Sequence, residues 1–299
     1  MTFVATLISS PARPSIEDDV LAEARRILGT RHPTRVLHGE VAAEMLVDCD
    51  AERARALEAE LRARFSGLPI DVAVLSSEGR RKRLFLADMD STMIEQECID
   101  ELAEYLGLKA EVSQITERAM RGELPFEPAL RERVAVLRDL PLAVVDEIIA
   151  RRITLMPGGR TLVATMRANG AYACLVSGGF TVFTGPVAAK IGFDEHRSNR
   201  LAVAGEKLTG RVEEPILGRE AKRATLVELR ERLGLSPQDT LAVGDGANDL
   251  AMLEAAGLGV AFRAKPAVAE AADVRIQHGD LTALLYLQGY AASEFVGAA

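Results

Sequence analysis

Apolar and polar residues alternate in short runs along the first 75 residues, and two charged stretches separate these runs. The runs predict strands, because a period of two and β-branched residues are typical of half-buried strands. The charged stretches, rich in Ala, Glu and Arg, predict helices. The predicted order is strand 3–8, helix 17–27, strands 34–38 and 43–48, helix 51–64 and strand 69–75. This order is the split βαβ, ferredoxin-like pattern.

A polar stretch at 76–83 follows, and it contains four consecutive basic residues at 80–83. In an acidic chain we expect this run to be a solvated linker rather than a nucleic-acid-binding segment. Residues 84–87 then form a short apolar run that predicts a buried strand. Residues 93–155 have almost no strand signal and predict several helices separated by glycine and proline. We therefore expect a helical insertion at about 93–155.

Strands and helices alternate from residue 156 onward, which predicts a parallel sheet covered on both faces. Predicted strands lie at 171–176, 239–243, 257–261 and 273–276, and predicted helices at 159–168 and 180–190. Between them, residues 195–213 alternate as a hairpin would, with its turn at 205–207. The expected fold is α/β, a doubly wound parallel sheet with a helical cap, preceded by a small ferredoxin-like α+β domain. The expected domains are 1–80 and 81–299, since 299 residues favour two domains.

Charge and cysteine content exclude several classes of partner. The chain has 36 basic and 44 acidic side chains and a net charge of −8, which disfavours binding to nucleic acid or to an anionic membrane. No apolar run reaches the roughly 18 residues of a membrane span. The three cysteines are far apart and form no CxxC pair, so we expect reduced thiols in a cytoplasmic protein.

Polar residues follow three of the predicted strands, where ligands bind in open α/β sheets. Asp88 and Asp90 come after the first, and taken alone they are as compatible with a turn as with a site. A Ser-Gly-Gly turn at 177–179 could form an anion cradle. The third segment, 244–249, supplies Asp245 and Asp249 but matches neither the GxGxxG nor the GxxxxGK[ST] motif. Four converging carboxylates need either a cation or a shifted pKa to coexist, and oxygen ligands without His or Cys indicate Mg²⁺.

Four motifs resemble the signatures of the haloacid dehalogenase superfamily of phosphohydrolases, whose core is Rossmann-like. They are DMDST at 88–92, SGGF at 177–180, Lys222 within EAKRATL, and GDGANDLAML at 244–253. The segments at 95–104, 115–137 and 199–217 more narrowly resemble those of bacterial phosphoserine phosphatases. This resemblance covers roughly 84–290. Residues 1–80 resemble the ACT-like domain that often precedes such enzymes.

The resemblance implies a phosphatase mechanism in which Asp88 attacks phosphorus and Asp90 is the general acid. It implies that Mg²⁺ is bound by Asp88, the backbone carbonyl of Asp90, and Asp245. Ser177, Gly178 and Lys222 would hold the nonbridging phosphate oxygens, and Asn248 would help to position the substrate. Without the resemblance, Lys222 at a helix start is more simply interpreted as a surface lysine.

The resemblance also implies that the cap chooses the substrate. Glu97 would pair with an ammonium group and Arg133 with a carboxylate, while Met120 and Phe126 would close over the site. A fixed Arg fork next to a Glu selects an amino-acid zwitterion. The implied activity is hydrolysis of O-phosphoserine, the last step of serine biosynthesis.

Two alternatives stay open from the sequence. The same residues could serve a phosphotransferase that passes the phosphoryl group to homoserine or another small alcohol. The chain could also be an amino-acid sensor with a vestigial phosphatase domain. The unpaired strand edges of the first domain could pair with a second copy and give a homodimer.

Overall fold

The computed structural model describes residues 1–120 and 123–297, without the side chains of Glu117, Ala119 and Met120. Its N-terminal part contains a four-stranded antiparallel sheet with two helices. The elements are β1 (Thr2–Ser9), α1 (Asp18–Leu28), β2 (Arg35–His38), β3 (Ala42–Asp48), α2 (Ala51–Arg64) and β4 (Ile70–Ser76). The strand order β2-β3-β1-β4 is that of the predicted ferredoxin-like pattern.

The larger part of the chain is built on six parallel strands with the order β12-β11-β10-β5-β6-β7. These are β5 (Leu84–Ala87), β6 (Tyr172–Phe180), β7 (Glu195–Asn199), β10 (Thr240–Gly244), β11 (Gly259–Phe262) and β12 (Val274–Ile276). The helices beside them are α7 (Gly159–Ala168), α8 (Thr181–Ile191), α9 (Arg219–Arg232), α10 (Leu250–Ala255), α11 (Pro266–Ala271) and α12 (Ala283–Leu287). All four residues of β5 are buried, as expected for a central strand covered on both faces. The predicted fold class is confirmed.

Four helices between β5 and β6 form the predicted insertion, which we call the cap. They are α3 (Cys98–Tyr105), α4 (Lys109–Met120), α5 (Phe126–Ala135) and α6 (Ala143–Arg151). Two antiparallel strands, β8 (Leu201–Ala204) and β9 (Lys207–Val212), support the cap from the core side. The amide of Asp139 donates to the Leu208 carbonyl at 2.9 Å, and that of Leu208 donates to Leu140 at 2.9 Å. The predicted limits of the cap and the domain boundary at residue 80 stay predictions.

The predicted hairpin over 195–213 is correct only in its second part. Residues 201–212 do form the β8–β9 pair, but β7 joins the large sheet by pairing in parallel with β6. Cys174 lies opposite Glu195 in this pairing. The local alternation could not distinguish the two arrangements, because the partner of β7 lies about 20 residues away.

The two parts are packed together, and we call their contact the seam. One face of the N-terminal sheet covers α1 and α2, and the other contributes Ile8, Val41 and Ala73 to the core that contains α12. On β4 the buried side chain of Asp71 accepts hydrogen bonds from three consecutive backbone amides, those of residues 277–279, at 2.8, 3.0 and 2.8 Å. Both faces of this sheet are therefore covered.

Two residues of the basic run at 80–83 belong to the seam, so the expectation of a solvated linker is wrong for Arg80 and Lys82, whereas Arg81 and Arg83 are exposed. Arg80 pairs with Glu44 at 2.8 Å and donates to the Leu287 carbonyl at 3.1 Å. Lys82 is buried, and its ammonium donates to the Gln238 carbonyl at 2.8 Å. Carbonyl acceptors from distant parts of the chain replace water around these charges. Across the described ranges 1–120 and 123–297, no helix combines the length and apolar character required to cross a membrane.

Candidate active site

Three neighbouring strands bring the predicted residues to one edge of the large sheet. The order β10-β5-β6 places the carboxyl ends of these strands side by side, since all three strands run in the same direction. A cavity of about 740 Å³ lies between this edge and the cap. The predicted residues that line it are Asp88, Asp90, Glu97, Phe126, Arg133, Ser177, Gly178, Asp245 and Asn248.

Lys222 lies at the base of the site rather than on the surface. It is in the first turns of α9 and is 2% exposed. Its ammonium lies 2.6 Å from Oδ1 of Asp88 and 2.6 Å from Oδ1 of Asp249. Burial alone would lower the pKa of Lys222, but these two carboxylates raise it above its usual value. Lys222 therefore carries a fixed positive charge next to Asp88.

Asp249 organises the loop that carries Asp245. It is fully buried, and its Oδ2 accepts the amides of Asp245 at 3.2 Å and Gly246 at 3.0 Å. The end of β10 must be glycine, because a Cβ on Gly244 would lie 2.4 Å from Cγ of Asp249. At Gly246 the nearest atom to an added Cβ is instead Oδ1 of Asn248, at 2.3 Å.

The carboxylates of Asp88, Asp245 and Asp249 form an oxygen cluster, with one ligand atom from each within 4.8 Å of the others. Burial and the negative charge of Asp249 raise the pKa of Asp88 well above its usual value, and they raise that of Asp245 to about 6. A cation would relieve this repulsion, and an all-oxygen set suits Mg²⁺. Because both oxygens of Asp249 already accept hydrogen bonds, Asp88 and Asp245 are the carboxylates better placed to bind it.

Asp90 occupies a different position from this cluster. Its side chain faces the cap, where Oδ1 lies 3.5 Å from the amide of Cys98 at the start of α3. Burial and the negative charge of Glu97 raise the pKa of Asp90 to about 7. A carboxyl group in this range can donate a proton near neutral pH. The predicted metal contact of Asp90 involves its backbone carbonyl and stays a prediction.

The Ser-Gly-Gly segment, predicted as a turn after the strand, lies within the last part of β6 and lines the cavity. Ser177 is buried, and its hydroxyl accepts the amide of Gly179 at 2.8 Å. The amide side chain of Asn199 donates to the Gly178 carbonyl at 2.8 Å, which fixes the peptide beyond Ser177. The backbone at Gly178 is thus held in place by the end of β7.

The cap provides the two charged groups that the resemblance implies for substrate choice. Glu97 precedes α3, and its Oε1 accepts the hydroxyl of Ser91 at 2.7 Å. Arg133 is in the last turn of α5, with Nε 3.3 Å from the Ala129 carbonyl. Burial lowers the pKa of Arg133, although Asp100 and Glu97 oppose the shift. An acidic and a basic group therefore face the same cavity from two cap helices.

Phe126 connects the cap to the sheet edge. Its ring lies 3.6 Å from the position that a Cβ on Gly178 would occupy and 3.4 Å from that of a Cβ on Gly218. The side chain is 37% exposed, so it covers the cavity without sealing it. Met120, the other residue expected to close the site, ends α4, and its side chain lies outside the described residues.

A family model described as haloacid dehalogenase-like hydrolase matches residues 85–254, more than half of the chain. The chain belongs to the haloacid dehalogenase-like hydrolases. The hydrolase is 41% identical over 246 residues to the phosphoserine phosphatase of Archaeoglobus fulgidus, covering 82% of this chain and 71% of that relative. It is 46% identical over 226 residues to the phosphoserine phosphatase of a Polaromonas species, covering 74% and 96%.

A solved structure described as a probable phosphoserine phosphatase from Vibrio cholerae has a TM-score of 0.78 at 31% identity, covering 98% of this hydrolase and 88% of that chain. The likeness therefore extends beyond the part matched by the family model. It includes the N-terminal sheet.

The hydrolase also contains site residues that sequence reasoning did not select. Thr92 donates to Oδ1 of Asp245 at 3.2 Å, and Lys265 lines the cavity just before α11. Lys265 follows strand β11, so the rule of strand ends could have found it. Asn199 and Ser91 had no comparable signal, because their roles depend on contacts made across the fold.

Proposed function

We propose that this hydrolase cleaves O-phosphoserine to serine and phosphate through an aspartyl-phosphate intermediate on Asp88, the last step of serine biosynthesis. The observation that carries this proposal is the division of the cavity into two ends. One end presents Asp88, Ser177 and the nearby Lys222 at the sheet edge, and the other presents Glu97 and Arg133 from the cap. A phosphate monoester of an amino acid matches both ends.

In the first step, an oxygen of Asp88 attacks phosphorus and the bond from phosphorus to the serine oxygen breaks. Asp88 is suited to this attack because a carboxylate needs no base to activate it, and the Lys222 ammonium 2.6 Å away favours the ionised form against the effect of burial. Asp90 donates a proton to the departing serine oxygen, for which a pKa of about 7 is well matched. Lys222 and the Ser177 segment stabilise negative charge on the phosphoryl oxygens during transfer.

In the second step, water attacks the phosphorus of the aspartyl-phosphate. Asp90, now deprotonated, accepts a proton from that water, and the bond to Asp88 breaks to release phosphate. The carboxylate of Asp88 is then regenerated next to Lys222, which lies 2.6 Å away. Asp90 therefore acts first as an acid and then as a base.

The cap supplies substrate selection, since the sheet edge contacts only the phosphate. Arg133 binds the substrate carboxylate with its planar guanidinium, and Glu97 binds the ammonium. Asn248, also in the cavity wall, helps to position the substrate. Phe126 covers the bound amino acid, a role that the resemblance also implies for Met120.

We propose Mg²⁺ as the cofactor, held by Asp88, Asp245 and the backbone carbonyl of Asp90. The oxygen cluster and the raised pKa values of its carboxylates support this choice. When bound, Mg²⁺ would offset the repulsion between the phosphate and the nucleophile.

We further propose a cytoplasmic protein, consistent with three free cysteines. A homodimer through the outer strand β2 would use its exposed Val36. No nucleic-acid partner is proposed for this acidic chain.

The test is phosphate release from O-phosphoserine with Mg²⁺, with Asp88→Asn as the control. We expect turnover by the wild type and none above background by the variant, whose amide is not a nucleophile. Turnover by Asp88→Asn would contradict the mechanism. A second arm adds homoserine, since formation of phosphohomoserine in place of free phosphate would favour the phosphotransferase. Serine binding without any turnover would favour the sensor.

A further inference from the structure

Ser91 is a polar residue of the site whose hydroxyl takes no part in the steps above. It lies between Asp90 and Thr92, directly after the sheet edge. Its φ of 56° is in the left-handed region, which a serine rarely adopts. Backbone strain of this kind persists only where the surroundings impose it, and it is concentrated at functional sites.

The left-handed turn brings the Ser91 hydroxyl to Glu97. The amide of Ser91 donates to the Gln96 carbonyl at 3.3 Å, and the hydroxyl donates to Oε1 of Glu97 at 2.7 Å. Two contacts therefore connect the turn after β5 to the residues that precede α3. The hydrogen bond between the backbones of Ser91 and Gln96 fixes the distance between these segments, and the Ser91 hydroxyl fixes the position of the Glu97 carboxylate.

Glu97 needs such a partner, because its side chain is exposed in the open cavity. It makes no side-chain hydrogen bond to the amides that begin α3. Within residues 1–120 and 123–297, the Ser91 hydroxyl is the hydrogen-bond donor that the structure gives to the Glu97 carboxylate. A flexible glutamate loses rotamer freedom when it binds a ligand, and a partner already in place reduces that loss.

We propose that Ser91 is a positioning residue that holds the Glu97 carboxylate toward the substrate ammonium and so contributes to the selection of amino-acid phosphates. The inference rests on the proposed function, in which Glu97 binds that ammonium. It assigns the fourth position of the DMDST motif to substrate choice, whereas the two aspartates of the motif carry out the chemistry.

The test compares two substrates that differ only in the ammonium group, O-phosphoserine and 3-phosphooxypropionate. Ser91→Ala removes the hydroxyl and keeps the Cβ, whereas Ser91→Gly removes the hydroxyl and allows the left-handed backbone. In both variants we expect kcat/KM for O-phosphoserine to fall about tenfold more than that for 3-phosphooxypropionate, as for a lost hydrogen bond to a charged group. The difference should lie mainly in KM.

Asp139→Gly is the matched control, because Asp139 also has a positive φ, of 66°, and does not line the cavity. Its preference between the two substrates should equal that of the wild type. An unchanged preference in both Ser91 variants would overturn the proposal. So would a loss in Ser91→Ala that Ser91→Gly does not share, since the backbone rather than the hydroxyl would then be responsible. A wild type that hydrolyses O-phosphoserine without distinguishing the two substrates would refute ammonium recognition by Glu97 and overturn this proposal, whereas the proposed function fails only if O-phosphoserine is not hydrolysed.

Discussion

Replacing Asp71 by Asn tests how strongly the seam contributes to stability. The carboxylate of Asp71 is 5% exposed and accepts three backbone amides, one at Oδ1 and two at Oδ2. Asparagine has nearly the same shape, but it has one acceptor oxygen and one NH₂ group. In the better orientation its oxygen keeps the amides of His278 and Gly279, and its NH₂ faces the amide of Gln277.

The magnitude follows from these contacts. A buried amide left without an acceptor costs about 1 to 3 kcal/mol, and each retained hydrogen bond loses roughly 1 kcal/mol when its acceptor becomes neutral. The expected loss for Asp71→Asn is therefore about 3 to 5 kcal/mol. This is a large share of the roughly 5 to 15 kcal/mol that stabilises a typical folded protein.

Urea unfolding at neutral pH, followed by circular dichroism, measures this loss. Asp273→Asn is the control, because the exposed Asp273 accepts a single backbone amide, that of Gly259, at 2.8 Å. We expect the control to lose no more than about 1 kcal/mol. A midpoint for Asp71→Asn that equals the control midpoint would refute the argument that the three hydrogen bonds stabilise the seam.

Three further predictions concern the site. Arg133→Ala should reduce kcat/KM for O-phosphoserine by roughly 30-fold to several thousandfold, as for truncation of one partner of a buried charge pair. It should reduce kcat/KM much less for phosphoethanolamine, which lacks the carboxylate, and equal losses in steady-state assays would make Arg133 structural. Asp90 must be protonated to release serine, so the rate at which O-phosphoserine phosphorylates Asp88 should fall as pH rises through about 7. In rapid-quench measurements the rate with p-nitrophenyl phosphate, which has a good leaving group, should show no such decline. The folded pKa of Asp245 is raised from 3.8 to about 6, so between these values the metal-free native state binds more protons than the unfolded state, and its stability should fall as pH rises through this range. Mg²⁺ should raise the melting temperature at pH 7, and an equal rise in Asp245→Asn would exclude Asp245 as a ligand.

The sequence predicted the order of elements and the location of the site because both depend on local patterns. Short apolar runs located β5 and β10, and the carboxyl ends of parallel strands meet at one edge, so Asp88 and Asp245 could be brought together without coordinates. Glu97 and Arg133 could be selected only by resemblance, since a charged residue on a cap helix is most simply a solvated one.

The remaining features depend on contacts between distant parts of the chain. β7 was expected in a hairpin because its own sequence alternates, and only its pairing with β6 places it in the large sheet. Arg80 and Lys82 are in a basic run that suggests solvent, yet their partners are carbonyls at 286, 287 and 238. The hydrogen bond from Ser91 to Glu97 requires a left-handed turn that sequence periodicity does not encode.

The contact of Phe126 with the sheet edge has an optical consequence. The chain contains no tryptophan, so its ultraviolet emission comes mainly from tyrosine. A Phe126→Trp substitution would place a single indole against Gly178 and Gly218, where the cap meets the core. Its emission would shift to shorter wavelength as the cap closes and excludes water, and to longer wavelength as it opens. If the cap moves during turnover, stopped-flow fluorescence of this variant would follow the movement, with the unsubstituted protein as the blank.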